Sequence, residues 1–113
     1  MPSDANPPGG PRRDTEREGG AAVEERKKVE RPQRFKVILF NDDYTRMEFV
    51  VAVLEQVFAL GPAQATQLML QIHRSGQAVA GIFVLEVAET KLATVHRQAE
   101  EHGYPLRAGI EPE

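Results

Sequence analysis

Between Phe40 and Thr45 the chain places Asn41, Asp42 and Asp43 directly after an apolar run, Val37-Ile-Leu-Phe40, and directly before an amphipathic helical pattern. Adjacent carboxylates rarely bury unless a cation or a set of donors meets them. Two readings stand at this juncture. Asx side chains commonly bond their own backbone and end strands, which makes the cluster a turn. The same residues could instead form an acceptor wall that awaits a positive group brought by a ligand. Calcium does not fit, because the closing bidentate glutamate of a calcium loop would fall on Ala52, Val53 or Leu54, and the turn glycine is missing too. A general acid and base would need carboxylates on opposite sides of a substrate, a geometry that sequence neighbours seldom reach.

The remaining chemistry is sparse. His73 lies one helical turn beyond Met69, beside an apolar stripe, where an imidazole is either a satisfied half-buried residue or a member of a site. His96 and His102 are six residues apart, roughly 240° around a helix, so they cannot share a metal from one face and read as solvated. Met47 and Met69 suit an ordinary core, or a pocket that must accept several side chains. Ser3 and Ser75 are the only serines, and no glycine-rich phosphate loop follows a strand. Taken together, these residues favour binding over catalysis: something cationic attached to something apolar, with no nucleophile, metal or cofactor.

The elements that position these residues follow from periodicity. Arg34 to Phe40 is rich in branched and aromatic residues and stops at turn formers, as a strand does. Thr45 and Glu48 have the spacing of a capping box, which predicts a helix whose stripe is Phe49, Val50, Val53, Leu54, Val57 and Phe58. Gly61 and Pro62 separate it from a second helix, striped by Ala65, Leu68, Met69 and Ile72 and stopped at Ser75-Gly76. Val79 to Leu85 is almost uninterruptedly apolar and reads as a central strand. A third helix runs from about Ala88 to Glu101, striped by Ala88, Leu92, Val95 and Ala99, with Gly103 placed for a left-handed cap. Leu106, Ala108 and Ile110 then alternate. The order β-α-α-β-α-β predicts an α+β fold, a compact two-layer sandwich of a three-stranded sheet covered on one face by three helices.

Composition bounds the rest. The chain has 113 residues, 41% of them hydrophobic, no cysteine and a formal net charge of -3. That allows one modest core, excludes disulfides and thiolate metal sites, and offers no field for nucleic acid or anionic membrane. No stretch reaches the roughly 18 apolar residues of a membrane span, and no signal peptide is apparent, so a cytoplasmic protein is expected. Residues 1–33 carry seven basic and seven acidic side chains, five of the eight prolines and no aromatic residue. Such a segment cannot bury enough apolar surface to offset ordering, and a disordered amino-terminal tail is expected there, with the folded domain over 34–113.

Four blocks of sequence strongly resemble the ClpS family of bacterial Clp protease adaptors: Lys36-Val-Ile-Leu-Phe-Asn-Asp-Asp-Tyr-Thr45, Met47-Glu-Phe-Val50, Ala65-Thr-Gln-Leu-Met-Leu70 leading to His73, and Glu86-Val-Ala-Glu-Thr-Lys91. They span nearly all of residues 35–106. The resemblance implies a fold similar to the carboxy-terminal domain of the ribosomal stalk protein. It also implies a non-enzymatic adaptor that binds N-degron proteins beginning with Phe, Tyr, Trp or Leu, delivers them to the Clp AAA+ unfoldase and protease, and modulates its substrate choice. By family likeness Asn41, a neutral His73 and, less directly, Asp42 receive the α-amine, with Asp43 in the same loop. Thr45, Met47, Val50, Met69, Ile72 and Leu106 form the side-chain pocket, where Met47 matches a gate that excludes β-branched residues. Glu86, Glu89 and Lys91 match a surface that docks on the amino-terminal domain of the unfoldase. Two departures stand out: Arg46 replaces a frequent proline, and Arg107-Ala-Gly109 is less apolar than the family end. The alternative is a stalk-like chaperone-interaction domain that does not read amino termini.

Overall fold

The computed structural model describes residues 31–113; up to residue 30, the expected tail lies outside the described residues. Gln33–Glu113 forms one compact unit. Its elements are β1 (Arg34–Phe40), α1 (Met47–Gln56), α2 (Pro62–Ser75), β2 (Gln77–Val84), α3 (Leu85–Glu101) and β3 (Arg107–Pro112). This is the expected β-α-α-β-α-β order, and the three strands form one antiparallel sheet in the order β2-β1-β3.

The central position belongs to β1, and its burial explains why. Val37, Ile38 and Leu39 are at most 2% exposed. Alternation points Val37 and Leu39 into the core, where they join Val53 and Leu54 of α1, Ala65 and Ile72 of α2, and Ala88, Val95 and Ala99 of α3. Truncating one of the fully enclosed side chains, such as Leu54, to alanine would cost about 2–5 kcal/mol, because the layer around it cannot fully collapse.

Three local expectations are corrected. The apolar run taken for a central strand is β2, an edge strand that ends at Val84, while Leu85 opens α3 three residues earlier than expected. A run of Val, Ile and Phe reads as buried on both faces, yet the helices cover only one, and Val79, Ile82 and Val84 remain about 40% exposed. The capping box is not made: the N-cap of α1 is Arg46, without a side-chain cap, and Thr45 bonds backwards into the loop instead. His96 is half-buried rather than solvated, and its Nε2 accepts the Ala108 N–H at 3.1 Å, tying α3 to β3. Accepting there places the ring proton of the neutral imidazole on Nδ1.

The helix ends follow the sequence more closely. Pro62 opens α2 behind Gly61, and Gly76 closes it with φ at 92°, a left-handed turn that residues bearing a Cβ rarely adopt. Gly103, at φ 75°, does the same after α3, where the Tyr104 N–H returns to the Ala99 carbonyl at 2.8 Å. In β2 the requirement at Gly81 is space: a Cβ there would stand 2.5 Å from the Phe83 ring, which lies back across it toward Phe58.

Candidate functional site

The acidic loop between β1 and α1 is braced by its own side chains. Asp42 is the hub. Its Oδ2 accepts the Thr45 hydroxyl at 2.6 Å and the Tyr44 N–H at 3.2 Å, while its main-chain carbonyl accepts the Thr45 N–H at 3.2 Å. A short O–H to carboxylate bond of this kind is roughly twice as strong as a neutral one, which explains why Thr45 turns toward Asp42 and not toward a free helix amide. Thr45 is 8% exposed, so its hydroxyl needs that partner. Tyr44 stands out at 82% exposed.

Asn41 is fixed through its backbone. Its N–H donates to the Gly76 carbonyl at 2.8 Å, joining the end of β1 to the turn that follows α2. Its Nδ2 makes a long 3.4 Å contact with Asp43 Oδ1, so the amide oxygen keeps its acceptor capacity. From α2, the spacing of Met69, Ile72 and His73 sets all three on one helical face, and from α1, Met47 and Val50 approach from the other side.

These groups enclose one cavity of about 100 Å³. Asn41, Asp42, Asp43, Thr45 and His73 form a polar wall, and Phe40, Met47, Val50, Met69 and Ile72 an apolar one. The volume is of the order of an aromatic ring, since a cavity of about 150 Å³ holds benzene. Met47 is 41% exposed at the rim, whereas Val50 and Ile72 are buried at 7% and 2%. The wall supplies acceptors for a cation.

Nine residues expected at the site by spacing or likeness line this cavity, and one does not: Leu106, 3% exposed, belongs to the core and borders a separate shallow groove with Tyr104 and Arg107. Phe40 takes a place in the wall that the sequence reading missed. It is the last residue of β1, directly before Asn41, and borders the cavity by its place at the strand end, while its ring lies against Gly109 of β3.

The three residues expected to dock a partner are not alike. Glu86 and Glu89 are exposed on the first turns of α3. Lys91 is half-buried: its Nζ donates to the Val57 carbonyl at 2.7 Å and stands 5.5 Å from the centroid of the Phe83 ring. Among the described residues, no group of three or more His, Asp and Glu is placed to hold a metal ion, and no helix is long and apolar enough to cross a membrane.

An apolar cleft fronted by amide, carboxylate and imidazole, carried on a small two-layer domain, defines a binding module. The family model for the ATP-dependent Clp protease adaptor protein ClpS matches residues 30–109, and the chain belongs to that family. The ClpS adapter protein of Desulfatibacillum aliphaticivorans is 52% identical over 95 residues, 84% of this chain and 91% of that one. The adapter of a Ruegeria species is 50% identical over 98 residues, 87% of each chain. Among solved structures, Agrobacterium tumefaciens ClpS2 bound to L-phenylalaninamide is similar at a TM-score of 0.71 and 41% identity, covering 74% of this chain and all of that one.

Proposed function

We propose that this chain captures proteins through a free amino-terminal Phe, Tyr, Trp or Leu and hands them to the Clp AAA+ unfoldase and its protease, acting by reversible binding without catalysis. The observation that carries this is the meeting of two walls in one small cavity. L-phenylalaninamide, the ligand of the similar ClpS2, carries an α-amine beside a benzyl group. The cavity here offers acceptors and apolar surface in the same juxtaposition. The α-amine, with an ordinary pKa of about 7.7–8.0, is largely cationic near neutral pH. Asn41 Oδ1 and a neutral His73 receive it, while Asp42, held by Thr45, adds negative potential. The first side chain enters between Met47, Val50, Met69 and Ile72, where burial of a large apolar group contributes roughly 1.5–3 kcal/mol. Met47 at the rim closes against β-branched side chains.

Delivery uses a second surface. Glu86 and Glu89 face solvent and dock on the amino-terminal domain of the unfoldase, with Lys91 shaping that surface through its hold on Val57 and Phe83. The setting is the cytoplasm, and the docked adaptor also modulates which substrates the protease takes.

A calorimetric peptide series tests the reading. Phe- and Leu-initiated peptides are expected to bind, whereas the same peptides acetylated, or initiated by Ile, are not. Equal affinity for all four would overturn it in favour of a domain that does not read amino termini.

A further inference from the structure

The charge of the cavity wall is one-sided. Asp42 and Asp43 both line it, and no Lys or Arg stands among the lining residues. The cations nearest in sequence, Arg46 and Arg74, are exposed and lie outside the lining. Among the described residues, neither aspartate forms an ion pair with a basic side chain. The two differ in how far their oxygens are already engaged. Asp42 Oδ2 accepts the Thr45 hydroxyl and the Tyr44 N–H. Asp43 is exposed and accepts only the long 3.4 Å contact from Asn41 Nδ2. A carboxylate has about four acceptor sites, so Asp43 keeps most of its capacity for what enters beside it.

Free Phe, Tyr, Trp or Leu offers such a wall the same cationic amine and the same side chain as a protein that begins with that residue. The difference sits on the carbon that bears the amine. In the protein it carries a neutral amide; in the free amino acid it carries a carboxylate, negative at any pH above about 4. An amine held by Asn41 and His73 brings that carbon, and any carboxylate on it, close to the polar wall. The carboxylate would lose water there with no lysine or arginine in the lining to replace it.

We propose that Asp43 makes the cavity reject α-carboxylates, so that it accepts apolar primary amines and amide-linked amino-terminal residues but turns away the free amino acids. This rests on the amine-binding reading of the cavity and adds the ligand class that the site excludes. For an amide or a simple amine, the wall meets one positive charge and the attraction is uncancelled. A zwitterion brings a positive and a negative charge together, and repulsion by Asp43 offsets the attraction. Discrimination of this kind works through a repulsive element, here a carboxylate left without a cation. Decarboxylated amino acids such as phenethylamine, which keep the amine and the ring, are then small competing ligands of the same cavity.

Titration calorimetry of the full chain with L-phenylalaninamide, phenethylamine and L-phenylalanine, at neutral pH and low salt, tests it. The first two are expected to bind, and L-phenylalanine to bind about tenfold or more weakly than either. Phenethylamine separates the two possible causes: it lacks the amide as L-phenylalanine does, so only a repelled carboxylate makes the amino acid the weaker of the pair. Asp43→Asn, nearly isosteric and at an exposed position, is expected to weaken the amide and phenethylamine severalfold while leaving L-phenylalanine unchanged or improved. A residue that merely shaped the loop would weaken all three alike. L-phenylalanine binding as tightly as phenethylamine, or a gap unchanged in Asp43→Asn, would overturn the proposal and leave the amine site standing. Failure of both amines to bind the wild-type chain would overturn the amine site itself and the proposal with it.

Discussion

The backbone N–H of Asn41 and the carbonyl of Gly76 are 2.8 Å apart, and this bond joins the acidic loop to the end of the helix that carries His73. Only Arg74 and Ser75 separate His73 from Gly76, so two groups that are distant in sequence are registered through main chain. Side-chain placement at the proposed amine site therefore depends on a turn that contributes no side chain of its own.

Gly76→Ala is the first test of that dependence. The φ of 92° strains any residue with a Cβ, although no neighbouring atom lies within 4 Å of the added carbon. A loss of about 1 kcal/mol is expected. Calorimetric melting should show a Tm lower by roughly 4–8 °C for a domain of this size. Affinity for a Phe-initiated peptide should fall alongside it, as the Asn41 loop shifts relative to His73.

Asn41→Ala and Thr45→Val are expected to differ in kind. The first removes an acceptor at an exposed position; it should weaken peptide binding roughly tenfold to a hundredfold, the worth of a hydrogen bond to a charged group, with little change in Tm. The second leaves Asp42 without the hydroxyl it accepts at 2.6 Å, and should lower stability by about 1–3 kcal/mol as well as affinity. Titration calorimetry paired with denaturant melts separates the two patterns.

Binding should weaken at high pH. As pH rises past about 8, the peptide amine loses its charge, and with it the attraction of the polar wall, so affinity declines. His73→Ala, which removes an acceptor from that wall, should weaken binding of a Phe-initiated peptide roughly tenfold to a hundredfold in titration calorimetry. An unchanged affinity would remove His73 from the amine site.

Lys91→Met should destabilise the fold as well as the docking surface. The Val57 carbonyl, at the end of α1, accepts its Nζ at 2.7 Å, and substitution leaves that carbonyl without its partner. A cost of about 1–3 kcal/mol is expected in urea unfolding. Glu89→Gln, at an exposed position on the same helix, should leave stability within about 0.5 kcal/mol.

Hydrophobic period made the helices legible, since Val53, Leu54, Ile72, Val95 and Ala99 were placed in the core by spacing alone, and Gly61-Pro62, Gly76 and Gly103 marked real boundaries. It could not separate β2 from a central strand, because a continuous apolar run looks the same whether both faces are covered or one is left to water. Nor could it order the two possible uses of the Thr45 hydroxyl, which turned on how close the folded loop brings a carboxylate. At the cavity, local spacing gathered Met69, Ile72 and His73, and family likeness supplied the rest of the lining. Leu106 fell outside the lining and Phe40 bordered it because lining depends on where a strand end meets the cavity, a property of three-dimensional arrangement absent from the local pattern.

Tyr44, 82% exposed and held by its amide to Asp42, sits between the lining residues Asp43 and Thr45 in the chain and has a spectroscopic consequence. The chain contains two tyrosines and no tryptophan. A ligand beginning with Trp would bring the sole indole into the solution, so indole emission would arise from ligand alone, its colour reporting whether the ring sits in water or among methionine and valine side chains. Tyr44 would then serve as a built-in energy donor beside it, and the unlabelled protein would carry its own optical ruler for the bound state.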